Sequence, residues 1–361
     1  MKTSVLFCML LLMLSACSQN KQWYSIEDFS KVKKIDAHVH LDTERSAFVE
    51  KAMTDNFRLI NVSLEVDQGW NDVYRKYGDG LHQHQSFPKT VDMVTSFAVS
   101  DWDDANWEGK VISWLDSCFK QGALGVKVWK NIGMVSRDSS GNLISIDDER
   151  FDPVFRFIEE RGKTLMGHLG EPKNCWLPLD SMTTENDRNY FKNHPQYHMY
   201  LQPEMPSHED LMDARDRMLE KHPELKFVGA HLGSLEYSVD VLAERLDRFP
   251  NMAVDLAARM GQLFYQTAND RDKVRNFFIQ YQDRILYGTD LGDNGERSQE
   301  NLYRSIDENW KRDWEFFVTD HEMQSDLIKQ PFKGLQLPKE VVDKVYYRNA
   351  LKWFGMEDEK F

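Results

Sequence analysis

Short runs of β-branched and apolar residues recur along this chain, each followed by a stretch in which apolar positions return every three or four residues. The runs occupy residues 32–38, 57–64, 91–99, 124–129, 163–168, 225–231, 252–256 and 284–289, and read as strands. Helical periodicity fills residues 107–120, 151–160, 207–221, 235–248 and 270–281, and Ser207 with Asp210 three residues on reads as a helix start. Eight strands alternating with helices predict an α/β fold, a closed (β/α)8 TIM barrel. An open, doubly wound sheet is the competing arrangement; it would bring a Gly-rich phosphate turn early in the chain, and the sequence has none.

Two connections exceed simple turns. Residues 169–206 follow the fifth strand and residues 291–337 follow the eighth. At the mouth of a barrel, long segments serve as lids or specificity loops. The first holds Asn174, Trp176, Arg188 and Tyr190, the second Trp310, Arg312 and Trp314; these side chains either reach a substrate or pack the loops down.

The beginning of the chain changes the picture of where the barrel resides. Lys2, an apolar stretch over residues 5–14 and then Leu14-Ser15-Ala16-Cys17 make a secretory leader, too short for a membrane span. The last four residues resemble a bacterial lipoprotein box. That resemblance implies a leader over residues 1–16, lipidation of Cys17, a tether and lead-in over 17–30, and one barrel domain over 31–361, held at the cell envelope on its periplasmic or outer surface. A formal charge of −14 over 361 residues argues against nucleic acid as partner. Cys118 reads as a buried thiol in a helix, and a bond between Cys118 and Cys175 is open on spacing alone. A homo-oligomer is compatible with the sequence and not readable from it.

The chemistry sits where the apolar runs end. In Asp36-Ala37-His38-Val39-His40 alternate residues of a strand share a face, so Asp36, His38 and His40 are expected to point the same way. Lys127 lies in the fourth run, His168 ends the fifth, His231 the sixth and Asp290 the eighth. A buried imidazole or carboxylate without a partner is costly, and a shared metal ion supplies one. Three imidazoles and a carboxylate without thiolate suit a catalytic zinc site with room for water. His194, His198, His208, His222 and His321 fall in loops or on helix faces and read as ordinary.

Taken in order, Ile35-Asp36-Ala37-His38-Val39-His40, Gly125-Val126-Lys127, Gly167-His168, Ala230-His231-Leu232-Gly233 and Leu286-Tyr287-Gly288-Thr289-Asp290 resemble the amidohydrolase superfamily. The resemblance is to its amidohydrolase-related branch of metal-dependent hydrolases and non-oxidative decarboxylases, and residues 337–351 look like that branch's closing helix. It implies one divalent metal, zinc above others, on His38, His40, His168 and Asp290. It also implies that His231 polarises the substrate carbonyl and that Asp290 moves a proton. A second arrangement stays open, in which Lys127 is carboxylated and bridges two metals while His168 and His231 bind the second.

Around this set, Arg259 after the seventh strand, in Asp255-Leu256-Ala257-Ala258-Arg259, could clamp a substrate carboxylate. Glu171 and Trp176 are further substrate contacts, and Asp36 is expected behind the metal histidines. The function expected is metal-dependent hydrolysis of an amide, ester or lactone carbonyl in a small polar molecule. Decarboxylation or C–C hydrolysis on the same site is the alternative, and an inactive, metal-bound substrate-binding lipoprotein is a third reading from another class.

Overall fold

The structure is a computed structural model that describes residues 22–65 and 69–358; the expected leader and Cys17 lie outside them. Strands β1 Lys34–Leu41, β2 Phe57–Val62, β3 Val91–Ser96, β4 Gly125–Val128, β5 Thr164–Gly167, β6 Lys226–Gly229, β7 Met252–Asp255 and β8 Ile285–Leu286 pair in sequence order and in parallel. A short ninth strand, β9 Leu291–Asp293, pairs in parallel with β1. β8 and β9 are two pieces of one stave. Between them the Ala37 amide donates to the Tyr287 carbonyl at 2.9 Å and the Asp290 amide to the His38 carbonyl at 2.8 Å. The seam between first and eighth staves is thus hydrogen-bonded along its length, and the ring of strands closes as a TIM barrel.

Period-2 burial explains the two apolar layers. Ile35, Ala37, Ile60, Val62, Val94, Met166, Val228, Ala253 and Leu286 fill the barrel interior, while Leu59, Val126, Leu165, Phe227 and Val254 face the helices. Below the interior, helix Asn349–Phe354 closes the end from which the strands begin. Its Ala350, Trp353 and Phe354 join the interior cluster, and Asn349 donates to the carbonyls of Gln282 and Ile285 at 2.7 Å each.

The helical expectations are met within a few residues at Trp107–Lys120, Asp152–Glu160, His208–Lys221, Val239–Arg248 and Arg271–Gln280. Ser207 forms the expected capping box, receiving the Asp210 amide at 3.1 Å and donating its own amide to the Asp210 carboxylate at 2.9 Å. The segment after the eighth strand departs from expectation. The longest element of residues 291–337 is the helix Gln299–Val318, whose Leu302, Ile306, Trp310, Asp313, Trp314 and Phe317 make one buried stripe. Trp310 and Trp314 are core residues, and Arg312 is engaged by Asp313 at 2.8 Å. An apolar stripe rich in tryptophan mimics a pocket-lining loop when its 3.6-residue period is overlooked. Residues 169–206 hold short turns of three or four residues and the helix Glu185–Asn193. Cys118 and Cys175 are both buried and both free.

Candidate metal centre

The first corner of the site depends on an irregularity in β1. Asp36 pairs with Leu59 and Val39 with Asn61, so three steps along β1 match two along β2. This bulge reverses the alternation. Ile35 and Ala37 point into the lower barrel, His38 and His40 into the upper mouth, and Asp36 outward. The expectation that Asp36 stands on the face of the two histidines is therefore corrected. Its carboxylate accepts the Thr289 amide at 3.0 Å, the Thr289 hydroxyl at 2.6 Å and the Trp310 indole N–H at 3.0 Å, riveting the first stave to the eighth. Gly288 permits that approach, because a Cβ there would lie 3.0 Å from the His38 Cβ.

His38 and His40 reach Asp290. The Asp290 Oδ1 lies 3.0 Å from His40 Nε2 and 3.4 Å from His38 Nε2. The ligating atoms of these three residues all fall within 4.8 Å of one another. The other ring nitrogens are committed to acceptors, His40 Nδ1 to the Val62 carbonyl at 2.7 Å and His38 Nδ1 to the Asp255 carboxylate at 2.8 Å. A carbonyl and a carboxylate can only accept, so both rings carry their proton on Nδ1 and present the Nε2 lone pair to the mouth.

His231 enters on a strained turn. His231, Leu232, Gly233 and Ser234 follow one another at φ of 61°, 57°, 62° and 57°, a left-handed turn that costs the non-glycine residues about 1–2 kcal/mol each. It is held from three directions. The Asp255 carboxylate accepts the His231 amide at 2.7 Å, the buried Arg215 guanidinium donates to the Gly233 carbonyl at 2.7 Å, and the Ser234 hydroxyl donates to the Gly170 carbonyl at 2.7 Å. His231 Nδ1 donates to the Ala257 carbonyl at 2.8 Å, leaving Nε2 toward the mouth like the other two. Asp290 itself sits at φ 67°, the point where the eighth stave breaks.

His168 packs edge-on against His231, with ring centroids 4.1 Å apart, and joins neither of the two tight clusters of candidate ligands, His38–His40–Asp290 and His38–His231–Asp255. Its Nε2 is buried with no hydrogen-bond partner among the described residues. Lys127 projects inward from β4 and donates to His38 Nε2 at 3.2 Å. Burial pushes its ammonium down to about 8, against the pull of Asp255 and Asp290. Burial and then the Lys127 charge lower the His38 imidazole. His168 falls well below its ordinary value through burial and the charges of Lys130, Lys127 and Arg259. Burial opposes ionisation of Asp290, yet the imidazoles of His231, His40 and His38 outweigh it and hold the carboxylate well below its ordinary range. Burial likewise lowers the imidazole of His231. Imidazoles at His38, His168 and His231 turned from their charged form and a carboxylate held below its ordinary range are what a divalent cation requires of its ligands, and the donor set fits such an ion.

A family model for amidohydrolases matches residues 35–356, which spans the barrel strands from the second residue of β1 onward and every residue of the site just described. The chain belongs to the amidohydrolase family. No curated protein matches it. Among solved structures, a 2,6-dihydroxybenzoate decarboxylase from Rhizobium superposes with a TM-score of 0.54 at 13% identity, covering 90% of this chain and 99% of that one. A 4-oxalomesaconate hydratase from Rhodopseudomonas palustris gives 0.48 at 12% identity over 90% and 96%. At 13% identity the likeness to the decarboxylase speaks for the fold alone.

The residues expected to meet substrate in this amidohydrolase are placed unevenly. Arg259 is buried beyond β7; one Nη donates to the Ala258 carbonyl at 3.0 Å, and its Nε has no partner among the described residues. Glu171 forms an ion pair with Lys130 close to His168. Trp176 spends its indole N–H on the Pro206 carbonyl at 3.1 Å and packs edge-on against His208 at 5.3 Å, pinning the segment that follows β5. Two residues escaped the sequence reading. Asp255 is fully buried and orients both His38 and His231; an acid ending an apolar run, as His168 and Asp290 do, was the available signal. Glu236, five residues past His231, is also buried, receives the Lys173 amide at 2.7 Å and leaves its second oxygen unpartnered among the described residues.

Proposed function

We propose that this protein is a metal-dependent hydrolase that attacks the amide, ester or lactone carbonyl of a small polar or anionic molecule. The observation that carries this reading is the pairing of Asp290, a carboxylate held below its ordinary range, with the Nε2 atoms of His38 and His40 at 3.4 and 3.0 Å, His231 standing beside His38. His38, His40 and Asp290 would hold one divalent ion, zinc by first expectation, with the orphaned Nε2 of His168 as the remaining donor. Such an ion supplies Lewis-acid polarisation and makes water acidic enough to ionise near neutral pH.

The protein's own groups divide the rest of the work. Asp290 Oδ1 accepts the proton of the attacking water and returns it to the leaving group, a role open to a carboxylate that touches the reacting centre. His231, proton on Nδ1 and lone pair inward, orients the water or substrate. Lys127 donates toward developing negative charge from inside the barrel. Arg259, with an unpaired Nε–H beside the histidines, binds an anionic group of the substrate, while Glu171 and Trp176 shape the rim.

Arg259 and Lys127 also favour a second reading, decarboxylation on the same centre, because both place cations where a substrate carboxylate would lie. Evolved carbon dioxide against consumed base separates the two. The depressed Lys127 pKa further leaves amine available for carboxylation, which would bring a second metal. Elemental analysis of protein purified without chelator tests the whole reading. About one divalent ion per chain, lost together with activity in His38→Ala, is expected; a metal-free, fully active protein would refute it, and two ions would assign Lys127 as a bridge. We further read Cys17 as lipidated, which places the enzyme at the cell envelope.

A further inference from the structure

The lead-in to the barrel is part of the fold, and its position decides which way the enzyme faces. The Gln22 carbonyl accepts the Lys339 amide at 3.0 Å. The Tyr24 hydroxyl donates to Asp343 at 2.7 Å, beneath the Lys339 ammonium 4.7 Å from the ring. The Ser25 carbonyl accepts the Trp314 indole N–H at 3.0 Å. Lys34, fully buried, donates to the carbonyls of Phe29 and Val32 inside a cage of Phe29, Phe57 and Trp314 rings 4.7–5.7 Å away.

All these contacts lie at the rim where the strands begin. Lys34 opens β1, Asn56 just ahead of β2 donates to the Lys31 carbonyl at 3.1 Å, and the 339–343 segment follows the end of the helix that runs back from the mouth. His40 and Asp290 lie at the opposite end. Six steps along β1 lead from Lys34 to His40, one of them taken up by the bulge, a rise of roughly 17 Å at about 3.3 Å per residue, before residues 169–206 add their own height above the mouth.

Only four residues, Ser18 to Lys21, separate Cys17 from Gln22. Fully extended, those five steps reach at most about 18 Å. We propose that the lipid surface is met by the strand-N-terminal face of the barrel, and that the catalytic mouth points away from the bilayer. This rests on the reading of Cys17 as lipidated. The tether cannot pass around the barrel to bring the mouth down. Exposed Tyr190, Tyr197 and Tyr200 of the segment after β5 would suit a bilayer interface by chemistry alone, yet they lie on the side the tether cannot present. The enzyme therefore draws its substrate from the aqueous side, and a substrate buried in the bilayer is excluded.

The test uses the full-length, lipidated protein in phosphatidylcholine vesicles carrying a headgroup-linked acceptor dye. A donor is attached at Lys89→Cys, exposed just before β3, or at Tyr200→Cys; the two native thiols of the folded domain are buried. Energy transfer at least twofold stronger from position 89 is expected, and a 20-residue Gly/Ser insertion after Gln19, about 25 Å in coil dimensions, should erase most of the difference. Equal or reversed transfer, with lipid on Cys17 confirmed by mass spectrometry, overturns the orientation. A mature chain without lipid at Cys17 overturns it at its premise, leaving the reading of the metal centre untouched.

Discussion

The two sides of the mouth are built on different terms. On the side of β1 and β9, His38, His40, Asp290 and Asp36 are tied at nearly every polar atom, by Asp255, by the Val62 carbonyl, by Thr289 and by Trp310. On the side of β5 to β7, His168 Nε2, Arg259 Nε and one oxygen of Glu236 are buried without partners among the described residues. An unsatisfied buried polar group costs about 1–3 kcal/mol, so three together are not a neutral accident of packing. The first side is organised before anything binds and suits an ion of fixed ligand geometry. The second is organised only when something arrives, which is what a substrate pocket requires.

The comparison breaks most readily at Asp290. Asp290→Asn keeps the shape and removes the base, and should lower kcat by roughly 10²–10⁴-fold with an unchanged thermal transition. A variant with near-normal kcat would show that the proton moves elsewhere. Asp255→Asn should act next most strongly, and through the metal. The His38 ring loses the acceptor that fixes its tautomer and the His231 turn the acceptor of its backbone amide, and affinity for the ion should fall about 10–100-fold. Titration of the apoprotein with zinc reads this directly; unaltered affinity would make Asp255 a packing residue only.

Arg259→Leu probes the second side. Loss of a charge-assisted contact is worth about 1.5–3 kcal/mol, so KM for an anionic substrate should rise roughly tenfold or more while metal content stays constant. A neutral substrate should barely notice. If both respond alike, the guanidinium supports the left-handed turns at residues 231–234 and at Ala258 and does not bind substrate.

These outcomes also bear on what was legible in the sequence. The staves, their order and the ends where chemistry gathers follow from period and composition, because burial imposes both. His38, His40, His231 and Asp290 converge as their positions at strand ends implied. What escaped depended on local departures from regular geometry. The bulge that turns Asp36 outward adds one residue to a strand and leaves no compositional mark. The left-handed turn that aims His231 uses Leu232 and Ser234, residues that carry no sign of positive φ. Trp310 and Trp314 were visible as aromatics, but their burial on a long helix appears only when the whole stripe from Leu302 to Phe317 is read together.

Glu236 offers the most specific effect, one read in stability and smallest on turnover. Burial raises its carboxyl from 4.5 to about 7, against the pull of Arg259. The folded protein therefore keeps this proton to higher pH than the unfolded chain does. Its contribution to stability is fully present below about pH 4.5, declines as pH rises toward 7, and amounts to a loss of roughly 3 kcal/mol above that at 1.36 kcal/mol per unit. Glu236→Gln cannot ionise, so variant and parent should melt together near pH 5 and the variant should melt several degrees higher near pH 8. A substrate that satisfies the empty oxygen and the Arg259 Nε–H should shrink that gap, since it stabilises the ionised carboxyl in the parent alone. Identical pH profiles for the two proteins would mean that Glu236 finds its counter-charge without a ligand, and the contrast between the two sides of the mouth would then narrow to His168 and Arg259.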